Sequence, residues 1–561
     1  MFVDARKLEQ GSVIEGAVCI VGAGVAGIAL ALEFMRRGID TLLLESGGFK
    51  ADEGTLDLNR GENVGLPYLF DDGCRSRHFG GSSNCWGGWC SPLLDQDLAV
   101  RDWIPDSGWP FDRSSLQPYY ERAHPLLSLG PMNYDVGSWV AAMNRADVRR
   151  IPLHTGQVHD VLTQFSSPSR LGTVYRREFK HSPHVRVLLH ANVVDIETDL
   201  SGQTVLRLHV RTLSGRQFVV KPGRVVLACG GIENPRLLLA SNRIQPAGVG
   251  NSNDLVGRYF ADHPRIALGN VRLRPQWQRN KLYDLKFHYL NKAVSAHGTY
   301  VSSQFSLSPG VQKREGLLNA QMWFSSILAG EGTDAADALG RIKNRMHGRS
   351  YPERTFLGDL AQLVRQPAHA AGYAATRILS LHSLVRKVAI EIICEPVPQR
   401  DSRVMLSDKL DALGMPRVRV DWRVGQQVLH TIDRTLAIFA AELRQAEVAD
   451  IDLPPPFAET GLPAVPPRPW HNLGVWHHMG TTRMHDSPQL GVVDRNCKVH
   501  GIDNLFIAGS SVFPTYGANF PTITISALAL RLADHLAAEM SSTRERGVRL
   551  TQAGMRSNCP G

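Results

Sequence analysis

Signatures of a metal or iron–sulfur centre are missing from this sequence. None of its eight cysteines (Cys19, Cys74, Cys85, Cys90, Cys229, Cys394, Cys497 and Cys559) forms a CxxC pair, and the tightest spacing is the C-x4-C of CWGGWC. A zinc or iron–sulfur site needs more sulfurs at closer spacing. Eight cysteines in 561 residues also fall far below the density of a disulfide scaffold. Reduced thiols in a cytoplasmic protein are the simplest reading. Long apolar runs are absent too: no stretch of about 18 apolar residues occurs, so no bilayer-spanning helix is expected. The opening MFVDARKLEQGSVIEG mixes both charges and lacks the apolar centre of a signal peptide. The formal charge is +9, yet no arginine-rich tract accompanies it. Basic residues spread along the whole chain argue against nucleic acid as a partner.

What is present is a soluble globular mix, with 43% hydrophobic and 20% charged residues. A chain of 561 residues exceeds one ordinary core, which predicts two domains or a large composite one. Near the start, AVCIV (residues 17–21) reads as a buried parallel strand. Gly22, Gly24 and Gly27 follow in G-x-G-x-x-G spacing, as a turn that lets backbone amides approach a pyrophosphate requires. Ile28, Ala31, Leu32 and Met35 form the apolar stripe of the next helix, which Gly38 ends. TLLL (41–44) is the second strand, and Glu45 closes it 18 residues after Gly27. A carboxylate there accepts the hydroxyls of an adenosine ribose and repels the 2′-phosphate of NADP. The fingerprint alone leaves NAD and flavin open. No second such unit occurs, which disfavours a flavoprotein reduced by NADPH through its own nucleotide fold.

Four further segments narrow the choice: RSRHFGGSSNCWGGWC (75–90), VVLACGGIENPRLLLASN (225–242), LVGRYFADHP (255–264) and GVVDRNCKVHGIDNLFIAGSSVFPTYGANFPTITISALALRLADHL (491–536). Together with VWHHMGTTRM (475–484) they resemble the glucose–methanol–choline (GMC) oxidoreductases, from about residue 15 to 540. In motif they are nearest to pyranose oxidases and bacterial sugar or glycoside dehydrogenases. The resemblance implies an α/β fold: a Rossmann-like FAD-binding domain and a second substrate domain on a mostly antiparallel sheet. It implies FAD as cofactor, His477 as catalytic base and Asn519 as its partner. It further implies that Gly80, Gly81, Ser82, Ser83 and Asn84 line the pyrophosphate and flavin, that Val193 meets the adenine, and that Gly509, Ser510, Pro521 and Thr522 contact the isoalloxazine side. Two departures stand out. The family's Asn-Pro-Thr appears as Asn519-Phe520-Pro521-Thr522, with one extra residue, and Cys85 stands where pyranose oxidases carry a flavin-linked histidine. Cys85 reads as a small packed thiol.

Alcohol oxidation by a flavin requires an acceptor for the hydroxyl proton, and a histidine of pKa near 6.5 is neutral enough to serve. Adjacent imidazoles point apart whether the backbone is extended or helical, so His477 and His478 are not read as sharing a metal. His478 is expected as a wall residue; it, Trp476 and Trp323, with Phe324, are the candidate substrate contacts. A helix from Pro521 onward carries Ile525, Leu528, Ala529, Leu532, Ala533 and Leu536 on one face. Its amino end is expected to face the flavin and favour negative charge there.

The predicted organisation is an FAD-binding domain of residues 15–100, 185–265 and 488–540, and a substrate or cap domain of 101–184 and 266–487. Strands such as RVMLS (403–407) and PRVRVDWR (416–423) are expected in the broad antiparallel sheet of the latter. Residues 331–387 are predicted as a helical insert. Its 341–387 portion holds nine Lys or Arg against Glu353 and Asp359 and reads as a helical pair contacting a partner subunit. The tail 541–561 is expected to be mobile. The expected function is FAD-dependent oxidation of a small-molecule alcohol, a sugar or glycoside hydroxyl going to the carbonyl, in a cytoplasmic enzyme that is a candidate homo-oligomer. The electron acceptor (oxygen, a quinone or a redox protein) stays open. The competing readings are oxidation of a non-sugar alcohol in secondary metabolism, and a lyase in which FAD is structural.

Overall fold

In the computed structural model, residues 1–68, 75–166, 169–286, 295–346, 355–379, 385–462 and 474–556 are described. Cys74, Cys559, two stretches of the predicted insert and the last five residues of the tail lie outside them.

Two sheets organise the molecule. The first runs in the order Phe2–Asp4, Val185–Leu189, Thr41–Glu45, Val13–Val21, Gln217–Leu227, Val205–Arg211, Asn192–Thr198. Val13–Val21 is apolar and buried at its carboxyl half, as a strand covered on both faces must be. Its parallel neighbours hold Val21 opposite Leu44 and opposite Leu227. Three strands therefore end level with one another, and their connecting loops leave along one edge. Gln217–Leu227 changes partner along its length, pairing antiparallel with Val205–Arg211 at one end and parallel with Leu505–Ile507 at the other. Helix Val25–Arg36 covers one face and packs against the terminal helix, burying Ile28, Ala31 and Leu32 as the stripe predicts.

The second sheet, wholly antiparallel, runs Arg265–Leu268, Val385–Cys394, Ala320–Leu328, Thr299–Leu307, Val158–Phe165, Trp89–Cys90. Its core contains Phe305, Phe324 and Phe439, with ring centroids 4.7 to 6.4 Å apart. Trp89–Cys90 reaches this sheet directly from the loop that holds Gly81 and Ser82, so the two sheets meet where that loop lies.

Several elements differ from the sequence reading. Phe2–Asp4 is an edge strand, too short to register as a periodic run. Arg403–Leu410 and Pro416–Asp421 are strands, but they form a separate three-stranded sheet with Gly61–Asn63. Alternation identifies a strand and one buried face without naming its partner. The insert contains three helices, Asp334–Met346, Phe356–Arg365 and Pro367–Leu379, in place of the expected pair. Thr355 caps the second by accepting from the Gly358 amide, a start signal that the basic composition obscured. The final helix continues from Thr522 to Arg556, past Met540 where a mobile tail was expected. Nothing in SSTRERGVRLTQ but one glycine opposes helix. No helix among the described residues is long and apolar enough to cross a membrane.

Candidate active site

A cleft of about 470 Å³ opens at the carboxyl edge of the first sheet, where open α/β sheets bind their ligands. The glycine turn forms its floor. A Cβ on Gly27 would lie 1.9 Å from the Gly22 carbonyl oxygen, so this position serves the close approach of helix to turn. Gly24 differs: a Cβ there comes no nearer than 4.0 Å to the protein and projects into the cleft. The space it leaves is room for a ligand. Gly24 is also the N-cap of helix Val25–Arg36 and offers no side chain to its first-turn amides, which leaves an anion-favouring helix end at the floor. Glu45 stands beside it, buried. Its Oε2 accepts from the Ala23 amide at 3.0 Å and its Oε1 from the Gly47 amide at 3.0 Å. Burial raises the pKa of this carboxyl, against the pull of those two amides. Glu45 therefore braces the turn and lines the cleft.

Of the residues read from the sequence, Gly22, Gly24, Glu45, Gly81, Ser82, Ser83, Val193, Trp476, His477, His478, Gly509, Ser510, Pro521 and Thr522 line this one cleft. Gly27, Gly80, Asn84, Asn519 and Trp323 do not. Gly80 shapes the turn before the 3-10 helix Gly81–Asn84 at φ 107°, and the Asn84 amide donates to the Phe79 carbonyl at 3.1 Å. The terminal helix begins at Thr522 with Pro521 just before it, and both lie on the cleft wall. The amino end therefore faces the cavity.

His477 reaches the cleft through a distorted backbone. Trp476 has φ 63°, an unfavourable value for a bulky side chain. Asp262 holds the bend: its Oδ2 accepts from the Trp476 amide at 2.7 Å and its Oδ1 from the His477 amide at 2.9 Å. The His477 Nδ1 lies 2.9 Å from Nδ1 of His263. His477 has no other side-chain hydrogen bond among the described residues, and the residue lines the cleft. Burial, then His263, His478 and Arg265, hold its pKa well below 6.5, so the ring is neutral at ordinary pH. His478 points elsewhere, packing on Phe260 and Tyr68. Burial and then Arg75 lower its pKa to about 3, and its buried Nε2 has no partner among the described residues. An unpaired buried nitrogen on the wall of a cavity fits a group supplied by a ligand.

Asp262, His263 and His477 bring ligand atoms within 4.8 Å of one another, which raises the question of a metal. Their donors are committed. Asp262 accepts from three backbone amides (His263, Trp476 and His477) and from the Tyr68 hydroxyl, and His263 Nε2 is held by the Gly517 carbonyl at 2.8 Å. The adjacent pair His477-His478 diverges, as expected for neighbours in an irregular segment.

Asn519 requires a correction. It is buried away from the cleft, its carbonyl accepting from Gln321 and its amide donating to the Pro92 carbonyl. Phe520 takes the place beside His477, with ring centroids 5.8 Å apart. The extra residue in Asn-Phe-Pro-Thr rotates the loop so that an aromatic ring faces inward. Phe520 joins Trp89 at 4.4 Å, and Trp323 lies behind Trp89 at 5.5 Å. Trp323 is thus backing for the wall, one layer from the cavity. The Asn519→Ala variant strands the Gln321 amide. It should lose about 1–3 kcal/mol of stability, visible as a lower thermal midpoint, with less effect on turnover than loss of His477.

Other cleft residues escaped the sequence reading. Arg265 borders the cavity, paired with Glu391 and stacked 5.1 Å from the Trp323 ring. Arg75 and Arg77 both bind Glu233, at 2.8 and 2.5 Å, and Arg236 binds Asp411 at 2.7 Å. The signal was present in RSRH and IENPR, where arginines sit inside otherwise apolar or glycine-rich segments. Ala228 to Gly231, following a buried strand at the same edge as Gly22, form a second glycine-bearing lip. Cys85 also lines the cavity as a free thiol.

Residues 398–529 match the family model described as GMC oxidoreductase. The large subunit of fructose dehydrogenase from Gluconobacter japonicus is 25% identical over 356 residues, which is 62% of this chain and 53% of that protein. The match thus spans about half of that relative. The 6'''-hydroxyparomomycin C oxidase of Streptomyces lividus is 24% identical over 589 aligned positions, covering 94% of this chain and 92% of that protein. Among solved structures, formate oxidase from Aspergillus oryzae RIB40 aligns with a TM-score of 0.54 at 15% identity, over 95% of this chain and 100% of that chain. At that identity the likeness is one of fold.

Proposed function

We propose that this chain is a GMC oxidoreductase that binds FAD in the cleft and oxidises an alcohol, with His477 accepting the hydroxyl proton. One observation carries the reading: a neutral imidazole, whose Nε2 has no hydrogen bond among the described residues, lines a cavity floored by a glycine turn and an uncapped helix end. FAD supplies the hydride acceptor when bound. Gly22, Gly24 and the amides at the start of helix Val25–Arg36 would hold its pyrophosphate, Glu45 its ribose hydroxyls and Val193 the adenine. His478 Nε2, Gly509, Ser510 and the start of the terminal helix would border the ring system.

The protein's own task is then narrow. Trp89, Phe520 and Trp476 offer apolar surface for the face of a sugar ring, and Arg265 offers a cation at the same wall. A hydroxyl held by His477 Nε2 gives up its proton to that nitrogen. The aromatic wall keeps bulk water from the reacting carbon.

The names of the relatives support a sugar or glycoside hydroxyl as substrate. Six free thiols among the described residues support a reducing compartment, the cytoplasm. Anaerobic mixing of the yellow protein with sugars, glycosides, aminoglycosides and simple alcohols should bleach the flavin with a member of the sugar group. A flavin that stays yellow with every alcohol sinks the proposal. Reoxidation of the bleached protein by oxygen against a quinone then identifies the class of acceptor.

A further inference from the structure

We propose that His263 is a positioning residue that decides which nitrogen of His477 carries the proton. The inference rests on the reading of His477 as proton acceptor. A neutral imidazole has one N–H and one bare nitrogen, and its hydrogen-bond partners choose between them.

The choice here can be followed atom by atom. The Gly517 carbonyl, 2.8 Å from His263 Nε2, can only accept. His263 Nε2 therefore bears the hydrogen, and in the neutral ring Nδ1 is left with a lone pair. Burial holds the His263 pKa down to about 4, so the ring is neutral under working conditions. His477 Nδ1, 2.9 Å away, must then donate. The consequence is a bare Nε2 on a ring that lines the cleft, in the state needed to receive a proton.

The support extends one layer further. The backbone amide of His263 donates to Asp262 Oδ1 at 2.7 Å, the same oxygen that accepts from the His477 amide. Asp262 and His263 thus fix the backbone and the ring of His477 together. The Gly517 amide donates to Glu395 Oε1 at 3.1 Å, and Glu395 is buried against Arg101. The carbonyl that orients His263 is therefore itself anchored.

Nitrogen-15 labelling of histidine in the FAD-loaded protein tests this directly. The His477 signals, identified by their loss in His477→Asn, should show a protonated Nδ1 and a bare Nε2. In His263→Leu the proton should distribute over both nitrogens, and anaerobic flavin reduction should slow roughly 100-fold at unchanged FAD content. His263→Gln, whose side-chain carbonyl can accept from Nδ1, should return the rate to within about tenfold of wild type. A wild-type His477 protonated on Nε2 overturns the proposal, as does a His263→Leu protein with an unchanged tautomer. Should the leucine variant not fold, the wild-type spectrum and the glutamine variant decide. If no alcohol bleaches the flavin, the functional reading fails while the nitrogen signals still report on His263.

Discussion

The His477→Ala protein should purify yellow yet reduce its flavin with substrate about 10²–10⁴ times more slowly than wild type. Stopped-flow absorbance under anaerobic conditions reads this directly, and a rate within threefold of wild type would remove His477 from the mechanism. Cofactor retention is expected because the floor of the cleft is built from Gly22 to Ala26, Glu45 and Val193, on other strands. The pH dependence carries a second signature. A general base works when unprotonated, and burial holds the His477 pKa well below 6.5. The rate for wild type should therefore stay level from alkaline solution down through pH 6.5, and fall only in more acid solution. A limb centred at or above the ordinary histidine value would point to another group.

Two glycine variants should separate folding from cofactor binding. Gly27→Ala puts a methyl 1.9 Å from the Gly22 carbonyl oxygen, backbone against backbone. Neither side can yield without moving the helix off the turn. The protein should purify largely colourless, with FAD affinity lowered roughly 100-fold or more, since the helix end and turn act together on the pyrophosphate, and with reduced thermal stability. Gly24→Ala places its methyl in open space, no nearer than 4.0 Å to any protein atom. Its FAD-free form should melt like wild-type apoprotein, while FAD titration by fluorescence quenching shows weakened binding. Equal loss of stability in the two would mean that Gly24 serves packing and that the cleft floor is not the ligand site.

The strand–turn–helix at the start was legible because every residue in it answers to a local rule: period, glycine spacing and terminal carboxylate. The place of His477 on the cleft was legible through H-x-x-G-T and the resemblance it carries. Asn519 was misplaced because one inserted residue, Phe520, changes which side chain faces the cavity, and spacing cannot report a rotated loop. His263 and Asp262 stood in a quoted motif, but their work depends on a contact with residues more than 200 positions later. No local pattern encodes such a partner. The aromatic wall is a similar case: Trp89, Trp323 and Phe520 come from three distant segments and meet only after both sheets have formed.

The lining residues run from Val21 to Ile525, which sets an order of events during synthesis. The glycine turn leaves the ribosome early, and the lip that faces it emerges about 500 residues later. In strand Gln217–Leu227 the stretch Val225–Leu227 must wait, unpaired on that edge, for Leu505–Ile507 to pair beside it. Nascent chains halted before residue 505 would expose that part of the edge and lack only the wall formed by Ala508, Gly509, Ser510, Phe520, Pro521, Thr522 and Ile525.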